Sequence, residues 1–185
     1  MAGPYSGCMP LQTPDPIRSA LHQAALQLDA AEACGQPHAM AQALLQLSRA
    51  YRAMGALDAA EAGLGGALRW SRLTGSVDAT VDLLCELSET AATRAEQLDE
   101  GARESGRGHL ARERARDAAF EAALRAAHVA DSRWEITVLL RISDVLDRCG
   151  DRDDAVGLQA RAMRLMAGDA AAPSDPQHLP GVRDA

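Results

Sequence analysis

The chain has 185 residues, 47% of them hydrophobic and 3% aromatic, and a formal net charge of −7. An apolar share of that size excludes a disordered composition. The acidic balance, with no clustered block of cations, argues against nucleic acid and anionic membranes as partners.

All 19 basic residues are arginine, which needs no more than a GC-rich coding bias. No apolar run approaches the roughly 18 residues of a membrane-spanning helix. Met1 to Pro14 has neither the basic start nor the apolar core of a leader, so residues 1–14 are expected to be a disordered N-terminus. Cys8, Cys34, Cys85 and Cys149 are scattered without a CxxC pair, the usage expected of reduced thiols in a cytoplasmic protein.

Asp15-Pro16 reads as an N-cap and N1 proline opening the first helix. Ala41 to Met54 carries Leu44, Leu47, Ser48 and Tyr51 at i, i+3, i+4 and i+7, one face of a second helix. Gly55 stops it in the left-handed position after the cap. Asp58 to Leu73 follows with Ala60, Leu64, Ala67 and Leu68, and Gly75 and Ser76 end that helix and cap the next. The pattern recurs: Ala20 and Ala60, Leu28 and Leu68, Gly35 and Gly75, Ala39 and Ala79, Leu44 and Leu84, and Leu47 and Leu87 all stand 40 residues apart, a period of helical repeat arrays.

The middle unit departs from this period. Its first helix starts near Ser76 and its second ends near Asp131, with Phe120, Ala123 and Leu124 in the repeating slots. The step from Leu68 to Leu124 is 56 residues. About 16 residues are therefore inserted at the turn, or roughly two extra turns per helix. The inserted stretch, residues 94–114, is rich in Arg and Glu, with Gly101, Gly106 and Gly108 marking a tip. This predicts an elongated helical hairpin reaching into solvent.

Ser132-Arg-Trp-Glu135 reads as a capping box opening the last unit. There Leu139, Ile142, Ser143, Leu146, Gly150, Ala155, Gln159, Ala162 and Met163 fill the repeating slots. Gln159 stands where an apolar residue is expected, as in a terminal repeat with a wetter face. The count is about seven helices over residues 15–167, followed by an expected disordered tail over 168–185.

Leu44, Leu47, Ser48, Tyr51, Gly55, Ala60, Leu64, Ala67 and Leu68 carry a family resemblance. The chain resembles the tetratricopeptide repeat family, in a variant with a period of about 40 residues. It departs from the family where leucine replaces the first aromatic and where the closing proline is missing. The resemblance implies an all-α fold, a right-handed α-α superhelix, whose first helix in each pair lines a concave groove. By that register the groove residues are Gln42, Leu45, Gln46, Arg49 and Arg52 from the first pair. The second pair gives Asp82, Cys85, Glu86 and Glu89, and the third gives Thr137, Leu140, Arg141, Asp144, Asp147 and Arg148. Family members that hold a C-terminal carboxylate do so at positions that here are Leu45, Arg49, Glu86, Thr137 and Arg141. Glu86 would repel a carboxylate, so that clamp is not expected.

Signals for chemistry are weak. His22, His38, His109, His128 and His178 form no HExxH, and no nucleophile elbow or phosphate loop is present. Cys34 and His38 are separated by helix-breaking Gly35 and Pro37, and a metal site needs three or four convergent ligands. Gly63-Leu-Gly-Gly66 falls inside a helix, where close helix contact explains it better than a phosphate loop. Trp70 and Trp134 are expected to pack in the core or wedge between repeats. The sequence thus points away from an enzyme, a metal and a cofactor. It points to an interaction module that takes another protein or peptide in its groove; the alternative is a sensory module holding a small ligand or signal peptide to control a regulator.

Overall fold

A computed structural model describes residues 16–100 and 105–168. Among these the chain is all-α, with no strand. Seven helices follow one another: α1 (Pro16–Cys34), α2 (Pro37–Ala53), α3 (Leu57–Thr74), α4 (Val77–Glu100), α5 (Ser105–Ala126), α6 (Ser132–Arg148) and α7 (Arg152–Met166). The expected disordered ends, 1–14 and the tail beyond Gly168, lie outside the described residues, as does Gly101 at the hairpin tip.

Local chemistry fixes the boundaries. Pro16 and Pro37 occupy first-turn positions, where a missing N–H costs nothing. Gly55 and Gly75 adopt φ of 75° and 70°, a conformation that strains any residue with a Cβ. Ser76 Oγ accepts the N–H of Ala79 at 3.3 Å, capping α4. At α6 the cap falls one residue earlier than Ser132. Asp131 accepts from the N–H groups of Arg133 and Trp134 at 3.0 and 3.1 Å, because a carboxylate is the stronger acceptor for orphan donors. α5 ends at Ala126, short of Asp131, and 127–131 turn into α6.

Short turns make neighbouring helices antiparallel. Each helix packs on the next in chain order, and α4 also touches α6 directly. One core runs through α2 to α7 and is built largely from the repeating slots: Leu64, Ala67, Leu68, Leu84, Ala123, Leu139, Ile142, Leu146, Ala155 and Ala162, with Leu45 of α2. Trp134 packs against it, and Trp70 packs on a smaller cluster of Ala31, Met40 and Ala43. Other slots lie outside it, Gln159 and Ala20 among them. Leu124 is 44% exposed. In α7 Leu158 is buried, whereas Met163 is 60% exposed; among the described residues no helix follows α7 to cover that side.

The middle pair is long: α4 has 24 residues and α5 has 22, against 17 in α2. Seven extra residues in α4 add about 10 Å, close to two turns. Alanines hold the pair together, with Ala91, Ala92, Ala95, Ala111, Ala115 and Ala118 all buried. Its base is not free in solvent. Arg94 and Arg114 reach Oε2 of the buried Glu61 on α3 at 3.0 and 3.5 Å, and Arg94 also pairs with Asp58. Arg116 Nε donates to Asp151 at 2.7 Å on the other side. Gly106 and Gly108, expected at the tip, lie in the first turn of α5. A Cβ at Gly108 would collide with Asp99 of α4, so this glycine brings the two helices together.

Candidate binding face on α2, α4 and α6

On α4, Asp82, Glu86, Glu89, Thr93 and Glu96 recur at steps of four and three and so share one helix face. α2 meets that row from one side and α6 from the other, each presenting arginines. Arg49 Nη2 lies 2.6 Å from Glu86 Oε1. Arg52 spans Glu86 at 3.0 Å and Glu89 at 3.3 Å. From α6, Arg141 donates to Glu89 Oε1 through Nε at 2.9 Å and lies 2.7 Å away through Nη2. Arg148 grips Glu96 in a two-pronged pair at 2.8 and 2.9 Å and donates to Thr93 Oγ1 at 2.9 Å. The Thr93 hydroxyl in turn donates to the Glu89 carbonyl at 2.9 Å. The three helices are thus laced by an arginine–glutamate row that no single helix contains.

Between α4 and α6 the row borders an open cleft of about 580 Å³, lined by Arg52, Glu89, Thr93, Leu140, Arg141, Asp144 and Arg148. Leu140 is 44% exposed in its wall, an apolar side chain among charges. Thr93 and Glu96 belong to this face although the sequence reading stopped at Glu89. The signal was available, because the four–three spacing continues through them into the elongated part of α4.

The other expected groove residues divide into exposed and buried. Gln42, Gln46, Asp82, Thr137, Asp144 and Asp147 are exposed. Leu45 and Cys85 are buried, at 7% and 0% exposure, within the core. Glu86 is 6% exposed and lies beneath Arg49 and Arg52. Among the described residues, Asp82 and Asp144 have no hydrogen-bond or ion-pair partner, although Arg141 and Arg148 act on them through space. Although Asp82 is exposed on one side, its partial desolvation drives the carboxyl above its ordinary range, and repulsion from Asp78 and Glu86 adds to this; Arg141 and Arg49 oppose it.

A second, partly enclosed cavity of about 40 Å³ lies where α2, α3 and α4 meet, lined by residues including His38, Gln42, Leu45, Ser71, Thr74 and Asp82. It has room for a water or two. Burial pushes the Cys85 thiol up to about 12 and raises that of Cys149 as well, so both are protonated and unreactive at neutral pH. Among the described residues no three His, Cys, Asp or Glu side chains converge as a metal site would require. No helix there is long and apolar enough to cross a membrane.

The fold and the cleft define an all-helical, repeat-like protein with a laced, charged face. Compared with known proteins, the chain matches no family model and no curated protein.

Proposed function

We propose that this chain is a tetratricopeptide-like interaction module of the cytoplasm. In this reading its helix pairs stack as a right-handed superhelix, and a peptide or helix of another protein docks on the α2/α4/α6 face. The cleft carries the reading. It is open, extends over two helices, and combines an exposed leucine with an ordered charge row. These are features of a surface that receives a segment of chain. The sensory alternative needs an enclosed pocket of several hundred cubic ångströms for a small ligand; the partly enclosed cavity between α2, α3 and α4, at about 40 Å³, is too small to be one.

Selection of a displayed random-peptide library on the full chain tests the proposal, with Leu140→Glu as a counter-selection bait. Leu140 is exposed, so this variant should melt like the parent. Peptides enriched on the parent and lost on the variant support docking in the cleft; peptides retained equally by both place binding elsewhere and refute it. Arg49→Glu, Arg52→Glu and Arg141→Glu together make a poor bait, because they would set like charges against Glu86 and Glu89 and loosen the helices themselves.

A further inference from the structure

The reading of the cleft as a docking face leaves the chemistry of its occupant open, and the charges without partners address that question. Arg49, Arg52, Arg141 and Arg148 are all committed to Glu86, Glu89 and Glu96. Asp82, Asp144 and Asp147 have no ion-pair partner among the described residues, and with them the face carries two net negative charges. An anionic partner would compete with these glutamates for the guanidinium groups. The heaviest loss would fall on Glu86, whose buried carboxylate would be left without compensation. A cationic partner breaks no pair: it adds its charges to carboxylates already facing water, and the chain's net charge of −7 draws it in.

Resting on that docking reading, we propose that the cleft takes a cationic amphipathic segment of a partner protein, its arginine or lysine side chains pairing with Asp144 in the cleft and with Asp82 about two turns further along the same face of α4, and an apolar side chain lying on Leu140. The arginine–glutamate row then serves as a rigid floor, and the two aspartates with Leu140 are the selective elements. Exposed carboxylates add modest affinity and stronger discrimination, so binding should weaken steeply with salt.

Fluorescence anisotropy on the full chain provides the test. Three capped peptides of equal length share the same leucine positions and carry arginine, glutamate or glutamine between them. Affinities are compared at low salt and at about 0.15 M for the parent, Asp144→Asn, Asp82→Asn/Asp144→Asn and Leu140→Ser. Asp117→Asn, at an exposed position on α5 away from the face, serves as the control. The arginine peptide should bind best and lose roughly two- to fivefold for each carboxylate removed. It should lose more with Leu140→Ser and nothing with the control. A preference for the glutamate or glutamine peptide that still depends on Leu140 would overturn the cationic assignment and keep the docking face. Binding of the arginine peptide that ignores Leu140 and both aspartates would remove the docking face as well, and failure of that peptide to bind at all overturns the assignment.

Discussion

Gly63 and Gly65 stand two residues apart in the same helix and should respond to alanine in opposite directions. A Cβ at Gly63 would drive into Ser48 Oγ of α2. That hydroxyl is buried and donates to the Leu44 carbonyl at 2.7 Å, so it has little freedom to turn away. At Gly65 a Cβ meets open space. Gly65→Ala should therefore stabilise by up to about 1 kcal/mol through helix propensity, while Gly63→Ala should cost about 1–3 kcal/mol through overpacking. Adding Ser48→Ala removes the obstructing oxygen and should recover most of that loss. Urea unfolding of the parent and these three variants checks this, and equal behaviour at the two glycines would show that the α2–α3 contact is not tight. Asp82 offers a second test. Its folded-state carboxyl is raised from the ordinary 3.8, chiefly by partial desolvation, so the ionised form is penalised in the folded chain more than in the unfolded one. The penalty is present at neutral pH, fades as pH falls through the raised value and is gone below 3.8, where both states are protonated. Asp82→Asn should thus raise the melting temperature at pH 7 and lose that advantage in acid. A gain that persists unchanged at low pH would assign the effect to packing instead.

At the scale of elements, what depends on three or four neighbouring residues was legible in the sequence. The glycine stops at 55 and 75, the Ser76 cap, the 40-residue period and the extra length of the middle pair are all local signals. Side-chain depth was not legible. Leu45 reads as a groove residue by register, yet it is buried and lines a small cavity together with Leu83 of α4. Cys85 reads likewise and is fully buried. The pairing of the face was also hidden, because its partners stand 37 and 52 residues apart, and no pattern within one helix records which arginine meets which glutamate. The hairpin shows both sides of this. Its length was readable, but its ties to Glu61, Asp151 and Arg148 were not. Those ties predict the result of shortening it. Replacing Glu96 to Arg112 by a short turn removes the Arg148–Glu96 pair and the buried Ala111. It keeps Glu61 with Arg94 and Arg114, and the cluster of Ala91, Ala92, Ala115, Val145 and Cys149. The shortened chain should still unfold in one cooperative step, weakened by about 1–3 kcal/mol. A broadened or two-step urea transition would mean that the outer turns help to hold the core.

Across the whole molecule, stability is built between neighbours: each helix leans chiefly on the one before and the one after. In such a stack each unit owes its stability to its interfaces, and terminal units have one fewer. The two ends of the described stretch are unequal. α1 packs on α2 and buries only Ala24 and Ala31, with Leu26 54% exposed. α7 places Ala155, Leu158 and Ala162 in the main core and adds an ion pair from Arg161 to the buried Glu135 at 2.6 Å. α4 is held from several sides, by α3, α5 and α6 and by the arginine row. Opening free energies should therefore rise from α1 to a maximum at α4, α5 and α6 and fall again, less steeply, at α7. Native-state hydrogen exchange read by peptide mass spectrometry measures that profile directly. Replacing Arg148 by Gln, which unlaces α6 from the outer half of α4, should lower protection in those two helices and leave α1 and α2 unchanged. Uniform protection from α1 to α7, falling everywhere in the variant, would show instead that the chain opens only as a whole and that its repeats are not separable units.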